Sequence, residues 1–222
     1  QGEEQELRGF LLWGAQTQRA LDNFQISGIK FAFPFGRSFI EALGIIKHAA
    51  ASSNAALKLL SSSKSKLIKY AAKEIIGGKY DDQFPLDIFQ TGSGTSTNMN
   101  ANEVLATIAS KKGKTSIHPN DDVNMSQSSN DVIPTAIHIS ALLDIEKLLL
   151  PSLKSLINQV KSKELKVKGV VKTGRTHLMD AMPIDMAQEL SGWAAQLSDQ
   201  YKQIKLAADG LKSLPQGGTA IG

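Results

Sequence analysis

The 222-residue chain contains no cysteine, so neither a disulfide framework nor a thiolate zinc site can form. It has no uninterrupted run of about eighteen apolar residues, so no membrane-spanning helix is predicted. No secretory or transit signal is recognisable at its start. These absences favour a reducing compartment. We predict a cytoplasmic location, or the mitochondrial matrix if a transit peptide has been removed.

Charge of either sign is modest, with 25 basic and 21 acidic residues and a net charge of +4. The lysine-rich runs carry almost no interleaved aromatic side chains, which predicts a solvated face rather than a nucleic-acid surface. We therefore expect no nucleic-acid partner and no membrane partner. A weak positive field still favours the approach of a small dianion.

One polar stretch, HPNDDVNMSQSSND at His118–Asp131, is rich in short hydrogen-bonding side chains and lacks Lys, Glu and Gly. A loop that is polar only for solubility is usually rich in those three residue types. Neutral hydroxyls and amides, as in Ser128, Ser129 and Asn130, suit a site that binds an anion through directed hydrogen bonds. An apolar helical pattern begins directly afterwards, at Val132.

Two further polar stretches adjoin helical patterns. The loop Gln90–Asn100 has glycines but no Lys-Ser/Thr pair and no clear βαβ context, so it is neither a P-loop nor a dinucleotide fingerprint. It predicts either an anion site at a helix N-terminus or an elaborate helix cap. The third stretch is Lys172–Asp180.

Apolar spacing predicts helices over much of the chain. The predicted spans are Gly14–Phe24, Ser38–Leu60, Leu67–Ile76 after a cap at Ser61–Ser63, a helix through Glu103 to about Ser110, Val132–Leu150 with Asp131 as N-cap, a continuation from Pro151 to about Lys163, and a long helix opened by Pro183 and reaching Leu211. A turn is predicted at Phe31–Arg37.

The Val132–Leu150 helix is apolar on nearly every face, which predicts burial all round. Helices this long cannot bury themselves in a compact fragment of this size, so they need helices from further chain or other subunits. The fold class is therefore predicted to be all-α, a long-helix bundle. The chain begins at Gln1 without Met and ends at Ile221-Gly222 without a closing helix, so we expect that part of the protein lies outside these residues.

Two other chemistries are compatible with the polar residues. His118 with Asp121 and Asp122 could imitate a metal site, but a second histidine is lacking and the surrounding amides suit an organic anion better. A Ser-His-Asp hydrolase could be drawn from Ser129, His177 and Asp180, although no G-x-S-x-G segment supports it. We predict no metal and no cofactor.

Taken together, five segments resemble the class II fumarase branch of the fumarase/aspartase superfamily, and they keep that family's order. They are WGAQTQRALDNF (Trp13–Phe24), QTGSGTSTNMNANEV (Gln90–Val104), HPNDDVNMSQSSND (His118–Asp131), KTGRTHLMDAMP (Lys172–Pro183) and GGTAIG (Gly217–Gly222).

The resemblance implies an N-terminal helical domain over residues 1–126 and the first part of a central long-helix bundle over residues 127–222. It implies a homotetramer whose active sites are shared between subunits. The implied substrate-binding residues are Ser93, Thr95, Ser128, Ser129 and Asn130. Thr176 and His177 would complete the catalytic pocket, and His118, Asn120 and Asp121 would form a secondary dicarboxylate site.

The implied reaction is the reversible hydration of fumarate to L-malate. An imidazole whose pKa is ordinarily about 6.5 can transfer the hydroxyl proton at neutral pH, which is the role expected of His177. Family members remove the carbon-bound proton with a serine in a loop G-S-S-x-M-P-x-K-x-N, and these 222 residues contain no such loop. We therefore expect the chain alone to be inactive.

The nearest rival in the superfamily is aspartate ammonia-lyase. Such enzymes typically have Gln, Thr and Leu where this chain has His177, Ser129 and Gln18. Argininosuccinate and adenylosuccinate lyases match these segments much less closely. A non-enzymatic alternative is a truncated helical scaffold that only assembles or binds carboxylates.

Overall fold

The computed structural model describes residues 11–29 and 36–219. Its helices and strands are α1 (Ala15–Asn23), α2 (Gly36–Ala56), α3 (Ser62–Ile76), α4 (Thr95–Gly113), α5 (Ser129–Asp144), α6 (Leu150–Lys166), β1 (Val171–Thr176), β2 (Met179–Asp185) and α7 (Met186–Gly210). The prediction of an all-α fold is confirmed, with one small hairpin added in the described part of the chain. Residues 31–35 of the predicted turn and residues 220–222 lie outside the described residues.

Contacts divide the chain into two compact units, Gln1–Ala141 with Leu214–Gly222, and Leu142–Ser213. The predicted domain boundary after Ser126 stays a prediction. Among the helices that the structure describes, none combines the length and apolar character needed to cross a membrane.

The first unit has its apolar core where α2 packs against α3 and α3 packs against α4. Ile40, Leu43, Ile68, Val104 and Leu105 are all buried there. The α3 helix begins as predicted, because Ser61 Oγ accepts a hydrogen bond from the Lys64 N–H. This core fixes α4, which carries the hydroxyl-rich loop at its N-terminus.

The α1 helix is held to α4 by one buried carboxylate. Glu103 accepts hydrogen bonds from the backbone N–H groups of Gly14, Gln16 and Thr17 at 2.9–3.1 Å, and from Thr17 Oγ1 at 2.6 Å. A negative charge at a helix N-terminus satisfies the N–H groups that lack intrahelical partners. The WGAQTQRA segment is therefore anchored by a residue far away in the sequence.

The helix predicted over Val132–Leu150 differs from the structure at both ends. It begins earlier, at Ser129, and Asp131 lies inside the first turn, where its Oδ1 accepts from the Ser128 N–H. The prediction of Asp131 as N-cap is therefore wrong. At the other end a π-helical segment, Ile145–Leu149, leads into α6 through a bond from Leu150 N–H to the Ile145 carbonyl. The wider turn lies beside Pro151, which has no N–H to donate.

The helix predicted to open at Pro183 begins at Met186 instead. Pro183 lies in β2 opposite Thr173, in a two-stranded antiparallel hairpin where a missing N–H is tolerated. Asp185 starts α7 with a capping box, because its Oδ1 accepts from Ala187 N–H and Gln188 Oε1 accepts from Asp185 N–H. This hairpin was not predicted from the sequence because the apolar residues from Pro183 onward have helical spacing.

In the second unit α6 packs against α7, but the pair buries little. Its buried apolar residues, among those described, are Ile157, Ala194 and Ala208. Large apolar side chains on the same helices remain exposed, including Leu156, Trp193 and Leu206. That further helices cover these side chains stays a prediction.

Candidate active site

Three hydroxyl groups form a hydrogen-bonded chain at the point where two helices begin. Ser93 Oγ is 2.8 Å from Thr95 Oγ1, which is 3.0 Å from Ser129 Oγ. Thr95 is the first residue of α4, and Ser129 is the first residue of α5. First-turn N–H groups lack intrahelical partners and carry partial positive charge. Two helix N-termini and three hydroxyls thus meet in an arrangement suited to a carboxylate.

Gly94 allows the two helix starts to approach each other. Its backbone is left-handed, with φ +68°, and an added Cβ would lie 2.8 Å from Ile133 Cγ1 on α5. Glycine accepts both the conformation and the close approach without a steric penalty. Gln90 Oε1 caps the Thr97 N–H at 2.9 Å, which leaves the Thr95 hydroxyl directed towards Ser129. The loop therefore serves as a cap and also presents hydroxyls, two possibilities that the sequence left open.

Ser128 and Asn130 are braced by the backbone around them. Ser128 Oγ accepts from the Asn130 N–H at 3.2 Å, and the Ser128 N–H donates to Asp131 at 2.9 Å. Asp131 is fully buried, and its second oxygen accepts from Gln216 Nε2 and Gly217 N–H at 2.9 and 3.0 Å. The start of α5 is therefore tied to the glycine-rich segment near the end of the chain.

The predicted secondary site lies in a π-helical turn, Pro119–Val123. The Asp121 N–H donates to His118 Nδ1 at 3.1 Å, and Asn120 Nδ2 donates to Asp121 Oδ1 at 3.3 Å. His118 Nδ1 also lies 3.2 Å from Asp121 Oδ2, a contact that becomes attractive only on protonation. The side chains of His118 and Asp121 are both exposed. The structure thus brings His118, Asn120 and Asp121 together in one open turn.

The alternative metal site at this turn is not favoured by the structure. Asp122 points inward, where both of its oxygens lie 2.8 Å from Lys64 Nζ and one accepts from the His118 N–H. A lysine ammonium already neutralises this carboxylate. Within residues 11–29 and 36–219, no group of three His, Asp or Glu side chains could hold a metal ion. That the protein functions without a metal stays a prediction.

Thr176 and His177 lie at the tip of the hairpin in the second unit. Thr176 pairs with Met179, so His177 and Leu178 form a two-residue loop, with φ values of 53° and 60°. Two positive φ angles define a type I′ turn, for which Asn-Gly is the preferred sequence. A leucine at such a position is strained, and strain of this kind concentrates at functional sites. Both side chains are exposed at the tip.

The hairpin has a bulge in β2, where Ala181 and Met182 lie opposite the single residue Gly174 and the strand register shifts between Thr173 and Arg175. A Cβ on Gly174 would lie 2.7 Å from the Met182 carbonyl oxygen, so a larger residue would push the strands apart. Asp180 lies 3.6 Å from Arg175 Nε, and no hydrogen bond joins it to His177 in this described part of the chain. The Ser129-His177-Asp180 hydrolase therefore lacks its aspartate–histidine contact.

A buried lysine that contacts the turn before Ser128 was not predicted from the sequence. Lys47 on α2 is fully buried, and its Nζ donates to Asn124 Oδ1 and Gln127 Oε1, both at 3.0 Å. Burial lowers the pKa of Lys47 to about 7, although the negative charge of Asp131 partly opposes this. A signal was present, because Leu43, Lys47 and Asn54 share the buried face of α2 at helical spacing.

The lowered pKa of Lys47 predicts a pH-dependent stability. Between pH 7 and 10.5 the unfolded chain holds a proton on Lys47 that the folded chain has released, so the free energy of unfolding should rise with pH. The expected contribution is about 1.4 kcal/mol per pH unit in this window. We expect urea unfolding at pH 7, 8 and 9 to show wild type gaining this amount relative to Lys47→Met. A constant difference between the two proteins would contradict the prediction.

Comparisons with known proteins agree with the motifs. A family model described as lyase matches residues 11–222. A class II fumarate hydratase from Xylella fastidiosa is 56% identical over 211 residues, which make up 95% of this chain and 44% of that protein. One from Halobacterium salinarum is 49% identical over 215 residues, with 95% and 45% coverage. The chain therefore spans less than half the length of these curated relatives.

A solved structure extends the likeness to three dimensions. The crystal structure of recombinant class II fumarase from Schistosoma mansoni gives a TM-score of 0.90 at 41% identity, covering 96% of this chain and 45% of that one. Sequence identity and fold similarity thus agree over nearly the same residues. The resemblance to class II fumarases is confirmed, and the chain belongs to the lyase family.

Proposed function

We propose that the complete protein catalyses the reversible hydration of fumarate to L-malate without a metal or an organic cofactor. The observation that carries this proposal is the contact of Thr95 Oγ1 with Ser129 Oγ where α4 and α5 begin. These hydroxyls and helix N-termini bind one carboxylate of the substrate. The similarity to class II fumarate hydratases supports the choice of a four-carbon dicarboxylate.

In the direction of hydration, the water oxygen bonds to one alkene carbon and the alkene electron pair moves onto the other. That second carbon then takes a proton to give malate. The intermediate carbanion delocalises into its carboxylate, where negative charge grows. Donors from Thr95, Ser129 and Asn130, fixed before the reaction, stabilise that charge. Ser93 and Ser128 hold these donors in place, because Ser93 is hydrogen-bonded to Thr95 and Ser128 to Asn130.

His177 is the proposed acid/base for the hydroxyl group, with Thr176 next to it in the chain. As base it takes a proton from the attacking water, and in dehydration it returns that proton to the departing hydroxyl. Its location at a hairpin tip with positive φ fits a group presented to a partner surface. The carbon-bound proton is left to the serine of the G-S-S-x-M-P-x-K-x-N loop, which lies outside these residues.

The open turn bearing His118, Asn120 and Asp121 is the proposed secondary dicarboxylate site. We expect it to bind fumarate or malate without contributing to the chemistry.

The proposed assembly is a homotetramer in which each active site draws residues from several subunits. The exposed apolar side chains of α6 and α7 support it, because Leu156, Trp193 and Leu206 would be buried by further helices. The cytoplasm remains the predicted location.

The choice between water and ammonia tests the reaction. The complete protein should convert fumarate to L-malate, and aspartate formation in ammonium buffer should be much slower. His177 and Ser129 stand where aspartate ammonia-lyases typically have Gln and Thr. Fumarate loss is followed by absorbance, and products are identified by chromatography. Aspartate formed faster than malate would contradict the assignment, and a rate lost on EDTA treatment would contradict the metal-free mechanism.

A further inference from the structure

Lys47 is a costly residue for a helix core. Its side chain is fully buried on α2, among apolar residues such as Leu43 and Ile46. A methionine of similar length would fill the same space without desolvating an ammonium group. Because lysine nevertheless occupies this position, its benefit to the protein must come from the hydrogen bonds that Nζ makes.

Both contacts of Lys47 lie in the turn that leads to α5. Gln127 Nε2 donates to the carbonyl groups of Val123 and Met125 at 3.0 and 3.1 Å, which directs its Oε1 towards Lys47. Asn124 Nδ2 donates to the Gln127 carbonyl at 3.3 Å, which directs its Oδ1 the same way. The two amides brace the turn with their N–H groups, and their oxygens both accept hydrogen bonds from Lys47 Nζ.

The braced turn ends directly at the carboxylate-binding residues. Ser126 within it has a positive φ of 62°, so the turn is held in an uncommon conformation. Asn98 on α4 also donates to Asn124 Oδ1, at 3.2 Å, which links the turn to the helix that carries Thr95. On the far side of Ser128, the buried Asp131 holds the Ser128 N–H. Ser128 and Ser129 are therefore fixed between the buried amino group of Lys47 and the buried carboxylate of Asp131.

We propose that Lys47 is a positioning residue of the carboxylate pocket, whose amino group, through hydrogen bonds to Asn124 and Gln127, sets the positions of Ser128, Ser129 and Asn130. The proposal rests on the proposed function, since it assigns Lys47 a role in the same pocket. Lys47 touches no substrate. It acts only through the turn.

The test uses Lys47→Met in the complete protein. Methionine keeps the apolar stem and removes both donors, so the hydroxyls should move away from their working positions. Displacements of about 1 Å in a catalytic site can cost about 10²-fold in rate. We expect kcat/KM for fumarate to fall by a similar factor.

A double-mutant cycle separates positioning from general weakening. Ser129→Ala should lower kcat/KM strongly in wild type and only slightly in the Lys47→Met background, because there the hydroxyl is already misplaced. Additive losses would overturn the proposal. Gln127→Leu removes one acceptor and one brace, and it should reproduce the Lys47→Met loss even if the latter protein folds poorly.

Ser65→Ala is the matched control. Ser65 is buried on α3 and donates to the Ala51 carbonyl at 2.8 Å, away from the turn. We expect this variant to lower the unfolding temperature and to leave kcat/KM unchanged. A drop in kcat/KM equal to that of Lys47→Met would mean that loss of stability alone explains both.

Hydrogen exchange of the amides at residues 124–131 gives a readout independent of turnover. Lys47→Met should speed their exchange on the order of tenfold, and Ser65→Ala should not. If wild type fails to hydrate fumarate, the proposed function is wrong, and the exchange data still decide whether Lys47 holds the turn. Unchanged exchange together with unchanged kcat/KM would overturn the role of Lys47.

Discussion

His177→Asn in the complete protein is expected to lower kcat for fumarate hydration by about 10²–10⁴-fold, the usual value of general acid/base help. KM should change only several-fold, because losing one neutral hydrogen bond costs about 1 kcal/mol. Asparagine keeps a hydrogen-bonding side chain but cannot accept and return a proton.

The backbone conformation at His177 is one that asparagine can adopt. His177 has φ 53°, and asparagine is among the residues that tolerate the left-handed region best. The hairpin should therefore keep its shape, and the unfolding temperature should change little. A merely structural histidine would give the opposite pattern, with near-normal turnover and a lowered unfolding temperature.

His118→Asn provides the matched control, since the same substitution is made in the other polar turn. Its imidazole accepts from the Asp121 N–H in an exposed turn, and asparagine can accept the same bond. We expect kcat to stay nearly intact and dicarboxylate binding at the secondary site to weaken. If kcat fell strongly in His118→Asn and stayed normal in His177→Asn, the roles assigned to the two turns would be reversed.

The second large effect concerns the 222-residue chain by itself. It carries the hydroxyl groups of the proposed carboxylate site and His177, but not the G-S-S-x-M-P-x-K-x-N loop to which removal of the carbon-bound proton is assigned. We expect its fumarate hydration to be slower than that of the complete protein by roughly 10⁴-fold or more. Catalytic groups that work as a unit are not additive, so the loss of one member removes most of the rate enhancement of the set.

The measurement needs a purified sample whose intact mass is verified, with circular dichroism to confirm that its helices are formed. Adding the remaining part of the protein in trans should restore part of the rate. Turnover by the verified chain alone would place the proton-abstracting group within these residues. A folded, inactive chain that still binds L-malate would fit the alternative of a carboxylate-binding scaffold.

The sequence alone determined the features that depend on local pattern. Helical spacing located α2 to α4 within a few residues, and the hydroxyl-rich segments around Thr95 and Ser129 stood out as polar stretches next to helical patterns. Five ordered motifs were sufficient to identify the family resemblance. Such signals lie within one or two helical turns, where backbone periodicity and capping rules apply directly.

Tertiary structure decided the residues whose partners are far away in the chain. Lys47 and Gln127 are 80 residues apart, and Glu103 and Thr17 are 86 apart, so no local pattern reveals either contact. The hairpin around His177 was hidden because Pro183 and the following residues continue a helical spacing, while strand pairing depends on a cross-strand partner. Long-range packing sets which polar groups are buried together, and buried groups must find partners wherever the fold brings them.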